Sequence, residues 1–135
     1  MSTRKIDHIG VAVNSIERSA ALWQGLFGVR APVIESIEER GVRLAHLEFG
    51  PGPSVELIEA MNEKASVYQF LKDRGEGIHH LCLLVDDLDG MMAARKQEGV
   101  AFVQDKPVRG TGGSRIAFIQ AASAGGVLIE LKEPA

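Results

Sequence analysis

The chain holds one cysteine, Cys82, so no disulfide can form within it, which fits a reducing cytoplasm. That residue lies inside an apolar run, where a small buried hydrophobe is a plainer reading than a nucleophile. No apolar run approaches the roughly 20 residues that cross a bilayer, so a membrane is not an expected partner. The opening MSTRKIDHIG lacks the apolar core of a signal peptide, so export is not expected and the expected location is cytoplasmic. The net charge of −3 offers no basic excess to a phosphate backbone, which argues against nucleic acid. The glycine-rich stretch Gly110-Thr111-Gly112-Gly113 is not followed by Lys-Ser or Lys-Thr, so it reads as a turn rather than a phosphate-binding loop. Lys106, Arg109 and Arg115 flank it and could either meet an anionic ligand or form a solvated edge. What is present is an ordinary soluble composition, 45% hydrophobic and 24% charged over 135 residues, enough for one compact domain with a core.

The dominant signal is a repeat. The stretch GEGIHHLCLLV, Gly75 to Val85, nearly repeats IDHIGVAV, Ile6 to Val13. Ile6 falls on Ile78, His8 on His80 and Val13 on Val85, 72 residues apart (80 − 8). Beyond the strand, Asn14 falls on Asp86, Ile16 on Leu88 and Glu17 on Asp89. After one residue of slippage, Gly28-Val29 falls on Gly99-Val100. The chain is therefore read as two copies of one unit.

Each copy reads strand, helix, strand, strand, strand. Lys5 to Val13 is a strand with Ile9, Val11 and Val13 on one face and His8, Gly10 and Ala12 on the other. Asn14 is the expected N-cap of a helix to about Phe27, with Glu17 closing a capping box and Gly28 ending the helix. Ile16, Ala20, Trp23 and Phe27 are spaced for its buried stripe. Strands are expected over Val29–Glu39, Val42–Phe49 and Ser54–Ala60, with turns at Arg40-Gly41 and Gly50–Pro53. A short linker helix is expected at about 65–74. The second copy has a strand at Ile78–Val85, a helix capped by Asp86 over about Leu88–Glu98, and strands at Val100–Val103, Arg115–Ile119 and Val127–Glu133. The modules span about 5–60 and 76–133 of one domain covering 1–135, of the α+β class.

Four residues stand out because the repeat pairs them. Each copy opens on a strand histidine, His8 or His80, and closes on a carboxylate inside an apolar strand, Glu56 in VELI or Glu130 in LIEL. An ionised carboxylate among branched apolar residues is costly to bury unless something pairs it. A divalent metal would pair both carboxylates and use both imidazoles. Two nitrogens and two carboxylate oxygens suit Zn, Co, Ni, Mn or Fe(II) better than calcium. Taken singly, each residue is more simply a packed histidine or a surface glutamate, and it is the recurrence that favours ligands. His79 lies on the opposite face from His80 and is expected to be structural or to support a ligand. His46 has no counterpart in the repeat and is expected to be structural.

The pattern resembles the vicinal oxygen chelate (glyoxalase/bleomycin resistance/dioxygenase) superfamily and, within it, the methylmalonyl-CoA epimerase family. The matching pieces are IDHIGVAV, RGVRLAHLEFG, VELIEAM, FLKDRGEGIHHLCLLVDDLD, GTGGSRIAF and GGVLIELKE, in order along nearly the whole chain. The resemblance implies two tandem βαβββ modules forming an open, barrel-like mixed sheet around a metal held by His8, Glu56, His80 and Glu130. It implies an isomerase that interconverts (R)- and (S)-methylmalonyl-CoA by 1,1-proton transfer through a metal-stabilised enediolate, acting as a homodimer. Glu130 is the first choice for one acid/base. Some members carry a glutamate directly after the GVR-type segment, where this chain has Leu44, which leaves Glu56, a water or another group as the second. The family often has a His-Pro-Lys-like segment where this chain has Gln120-Ala121-Ala122.

Two other readings share this fold. A glyoxalase-type lyase on a glutathione hemithioacetal uses the same His, Glu, His, Glu set, and a metal-free small-molecule binding protein would need none of the four. An extradiol dioxygenase fits less well, since its iron takes two His and one Glu and has no need of Glu56.

Overall fold

The computed structural model describes residues 2–135. In chain order its main elements are β1 (Thr3–Ala12), α1 (Ile16–Phe27), β2 (Ile34–Ile37), β3 (Val42–Leu47), β4 (Ser54–Ala60) and α2 (Ser66–Arg74), then β5 (Gly77–Val85), α3 (Leu88–Gln97), β6 (Val108–Arg109), β7 (Arg115–Ile119) and β8 (Ile129–Glu133). The α+β class and both βαβββ modules are as expected from the repeat. The chain divides into two compact units, one of residues 8–79 and one of the residues up to Asp7 together with His80–Ala135.

In the unit of residues 8–79, the strand order is β2-β3-β4-β1. The β1–β4 pair is parallel, with Gly10 opposite Glu56, and β3–β4 is antiparallel, with His46 opposite Glu56. Helix α1 supplies the crossover that a parallel pair requires. Its N-cap is Ser15, whose Oγ accepts from the N–H of Arg18 at 3.1 Å, and not Asn14. Asn14 lies one residue too early and donates its own N–H to Glu76 Oε2 at 2.8 Å. Glu17 closes no capping box, because its carboxylate is taken by Arg43 Nη2 at 2.6 Å. Gly28, at φ 69°, ends the helix in the left-handed conformation that glycine adopts without strain.

Ile16 and Ala20 pack with Val13, Ala45, Leu47 and Leu57, as the helical stripe predicts. Phe27 does not join them: it is 59% exposed, its ring edge-on to Trp23 at 5.6 Å. A second cluster joins Ala12, Ile37, Val42, Leu44, Ile58 and Val67. Strand β2 is shorter than the expected Val29–Glu39. Pro32 has no N–H for a ladder, and Glu38–Arg40 turn into a 3₁₀ helix that ends at Gly41.

In the other unit the strand order is β5-β8-β7-β6, with β5–β8 parallel and the remaining pairs antiparallel. Helix α3 is capped by Asp87, which accepts from the N–H of Gly90 at 2.9 Å, and not by Asp86, which pairs with Arg4 at 2.9 Å. Its buried face, Leu88, Met91 and Met92, packs on Val85, Ala117 and Leu131. Val100–Val103 is not a strand. The N–H of Val100 turns back to Arg95 O and that of Ala101 to Ser123 Oγ, so only an isolated bridge, Phe102 to Ile119, forms there. The edge strand is β6 instead.

Candidate functional site

The four expected residues occur as two His–Glu pairs, one in each unit, and all four are buried. The local cause is the same in both. A parallel pair sets a residue of the first strand directly opposite the glutamate, Gly10 to Glu56 and Cys82 to Glu130. The histidine lies two residues before that partner, on the same face by the period of a strand. His8 Nε2 is 3.4 Å from Glu56 Oε1, and His80 Nε2 is 2.9 Å from Glu130 Oε1. A carboxylate this buried would carry a penalty of several kcal/mol if left unpaired.

The spacing and chemistry fit a metal. Donors on one ion with bonds of about 2.1 Å stand about 3.0–3.4 Å apart between right-angle and tetrahedral geometry, close to the distance within each pair. Each unit thus offers one buried imidazole and one buried carboxylate, donor types that suit a divalent ion.

His46, expected to be structural, has contacts that the sequence did not disclose. Its Nε2 is 3.1 Å from Glu56 Oε2 and its Nδ1 is 2.9 Å from Ser54 Oγ, while its ring meets that of His8 edge-on at 5.3 Å. Glu56 is thus flanked by an imidazole at each oxygen. The signal was the hairpin. Pairing Val42–Leu47 back from the Gly50–Pro53 turn sets His46 opposite Glu56. At the matching place, opposite Glu130, stands Phe118, whose ring is edge-on to His80 at 5.4 Å.

The remaining candidates have other roles. His79 is buried with its ring edge-on to Phe70 at 5.1 Å, in keeping with a structural part. Leu44 is a core residue, 2% exposed. Cys82 is fully buried. Arg115 is held by Asp89 at 2.8 Å and Glu133 at 3.2 Å, which makes it part of the scaffold. Its hydrogen bond to Asp89, and then that to Glu133, hold the guanidinium above its ordinary value and keep it charged.

With this arrangement in view, kinship becomes specific. The model of the Glyoxalase/Bleomycin resistance protein/Dioxygenase superfamily matches residues 7–118, and the chain belongs to that superfamily. The chain is similar to a methylmalonyl-CoA epimerase from Mycobacterium tuberculosis, with a TM-score of 0.91 and 35% identity over 98% of this chain and 89% of that one. It is similar to a variant of the Streptomyces coelicolor methylmalonyl-CoA epimerase in complex with 2-nitronate-propionyl-CoA, with a TM-score of 0.91 and 34% identity over 99% of each chain. It is also 34% identical to the uncharacterized protein YqjC of Bacillus subtilis over 130 residues, 96% of this chain and 92% of that one. Among the described residues no helix is long and apolar enough to cross a membrane.

Proposed function

We propose that the chain is a metal-dependent epimerase of methylmalonyl-CoA, working as a single two-module domain over residues 1–135. His8, Glu56, His80 and Glu130 would hold one divalent ion of the Co, Mn, Zn, Ni or Fe(II) kind. The observation that carries the reading is the buried His–Glu pair repeated at equivalent points of two modules, in a chain similar over nearly its full length to methylmalonyl-CoA epimerases. A bound divalent ion supplies Lewis acidity toward the acyl oxygens of the substrate.

The chain's own part is proton handling. The hydrogen on the α-carbon leaves as a proton, and the C–H electrons pass toward the thioester carbonyl. A proton returned on the opposite face inverts the centre. This requires two acid/base groups. Glu130 is assigned the first role. The assignment rests on the resemblance, in which this ligand position is used catalytically. Glu56 is the candidate for the second. The resemblance also supports a homodimer in the cytoplasm, which sedimentation and fractionation would test.

A second reading is favoured by one observation. Leu44 is buried in the core where some epimerases carry a glutamate. A glyoxalase-type lyase on a glutathione hemithioacetal would use His8, Glu56, His80 and Glu130 without that residue.

The deciding experiment follows proton–deuteron exchange at the α-carbon of methylmalonyl-CoA by NMR in D₂O, with metal-loaded and chelator-treated protein. Fast exchange that disappears on chelation supports the epimerase. No exchange with metal verified as bound sinks it and sends the glutathione hemithioacetal to the next assay. Failure to take up any metal moves the metal-free binding protein of this fold to the front.

A further inference from the structure

We infer that His46 is a positioning residue for Glu56, an inference that deepens the proposed metal site and rests on it. Four polar groups stand in a line: Ser54 Oγ, the two nitrogens of His46, the two oxygens of Glu56, and His8 Nε2, at successive distances of 2.9, 3.1 and 3.4 Å. An ionised carboxylate can only accept, so His46 Nε2 must carry the proton that meets Oε2. In a neutral ring Nδ1 then accepts from the hydroxyl of Ser54, a buried residue on the same strand as Glu56. The hydroxyl fixes the tautomer, the tautomer fixes one carboxylate oxygen, and the other oxygen is left on the side of His8. Partners of this kind orient ligating carboxylates.

The repeat separates this hydrogen bond from mere space filling. Phe118 lies 72 residues after His46 (118 − 46) and faces Glu130 across the strands as His46 faces Glu56. Both rings meet the neighbouring histidine edge-on, at 5.3 Å and 5.4 Å. The flat ring is common to both modules, and the donor on it belongs only to the first. His46→Phe therefore keeps a shape the fold already uses at this place and removes both hydrogen bonds of the imidazole, that to Glu56 and that to Ser54. His46→Gln keeps a side-chain N–H that can reach Oε2.

The test titrates Co(II) into wild type, His46→Phe and His46→Gln, reading the visible spectrum, with thermal melts in parallel. We expect His46→Phe to bind Co(II) about 10–100-fold more weakly while still melting cooperatively as a folded protein, and His46→Gln to recover most of the affinity. Equal affinity in wild type and His46→Phe overturns the role of His46 while leaving the metal site standing. Failure of wild type itself to bind Co(II) overturns the metal site, and this inference with it. Long-range proton–nitrogen NMR of the metal-free protein gives a second check. His46 is expected with its proton on Nε2, and a proton on Nδ1 alone overturns the inference.

Discussion

Glu59 Oε2 is 2.9 Å from Arg43 Nη1, and the other oxygen of the same carboxylate accepts from the N–H of Ile16 at 2.9 Å. One side chain at the end of β4 thus caps α1 and holds an arginine of β3. The second module repeats the device: Glu133 takes the N–H of Leu88 at 2.9 Å and pairs with Arg115 at 3.2 Å. Glu59 is only 15% exposed, so its hydrogen bonds are poorly replaced by water. Glu59→Ala removes a helix cap and a charged hydrogen bond together and should cost about 2 kcal/mol. Urea denaturation measures this. A midpoint unchanged from wild type would mean that Arg43 and Ile16 find other partners.

The same arginines set an acid sensitivity. Hydrogen bonds from Arg43 to Glu17 and from Arg115 to Asp89 hold both carboxyls below their ordinary values of 4.5 and 3.8. A carboxyl depressed in the folded state binds fewer protons than in the unfolded chain. Its stabilisation is therefore complete above its ordinary pKa and is lost as pH falls through the depressed value. Thermal melts should show wild type losing more stability than a Glu17→Gln, Asp89→Asn double variant below about pH 4.5. Both groups are at the surface, so salt should shrink the difference. Parallel pH profiles would show that these pairs add nothing to stability.

Much of this could be read in the residues, and the failures are instructive. The repeat led to both modules and to the two His–Glu pairs, because a buried carboxylate and its histidine are each marked by type and spacing. The sequence puts the caps one residue early because Asn14 and Asp86 are as good at capping as Ser15 and Asp87, while Glu76 and Arg4, far off in the chain, engage the first two. The Val100–Val103 strand failed because apolar residues alone do not show that their N–H groups turn back to α3 and Ser123. The contact of His46 with Glu56 escapes a reading of the residues because it depends on the β3–β4 register, which no local pattern displays.

Gly41 directly precedes β3 at φ 66°, and its carbonyl accepts from the N–H of Met61 at 2.7 Å, joining the start of β3 to the end of β4. A Cβ added there would collide with the Asn62 carboxamide, whose Oδ1 is already bound to the N–H of Lys64 at 2.9 Å. Gly41→Ala should cost about 1–3 kcal/mol, from the left-handed backbone together with the displaced Asn62. A double-mutant cycle with Asn62→Ala divides the two. The collision is relieved in the double variant and the backbone strain is not, so partial recovery is expected. Full recovery would assign the whole cost to Asn62.

Glu130→Gln separates chemistry from fold. The amide keeps the size of the carboxylate, and its oxygen can still face His80, which lies 2.9 Å from Glu130 Oε1 in wild type. What disappears is the ability to take a proton and carry negative charge. If Glu130 removes the α-proton, exchange of that proton with solvent should fall by about 10²–10⁴-fold. Circular dichroism and the melting temperature should stay close to wild type, because the core neighbour Leu131 and the β7–β8 ladder are untouched. Metal content is measured on the same sample, since loss of the ion would also abolish exchange. A variant that keeps its metal and its fold but exchanges no proton places the base at Glu130. A variant that keeps all three removes Glu130 from the mechanism and moves the assignment to Glu56 and the groups around it.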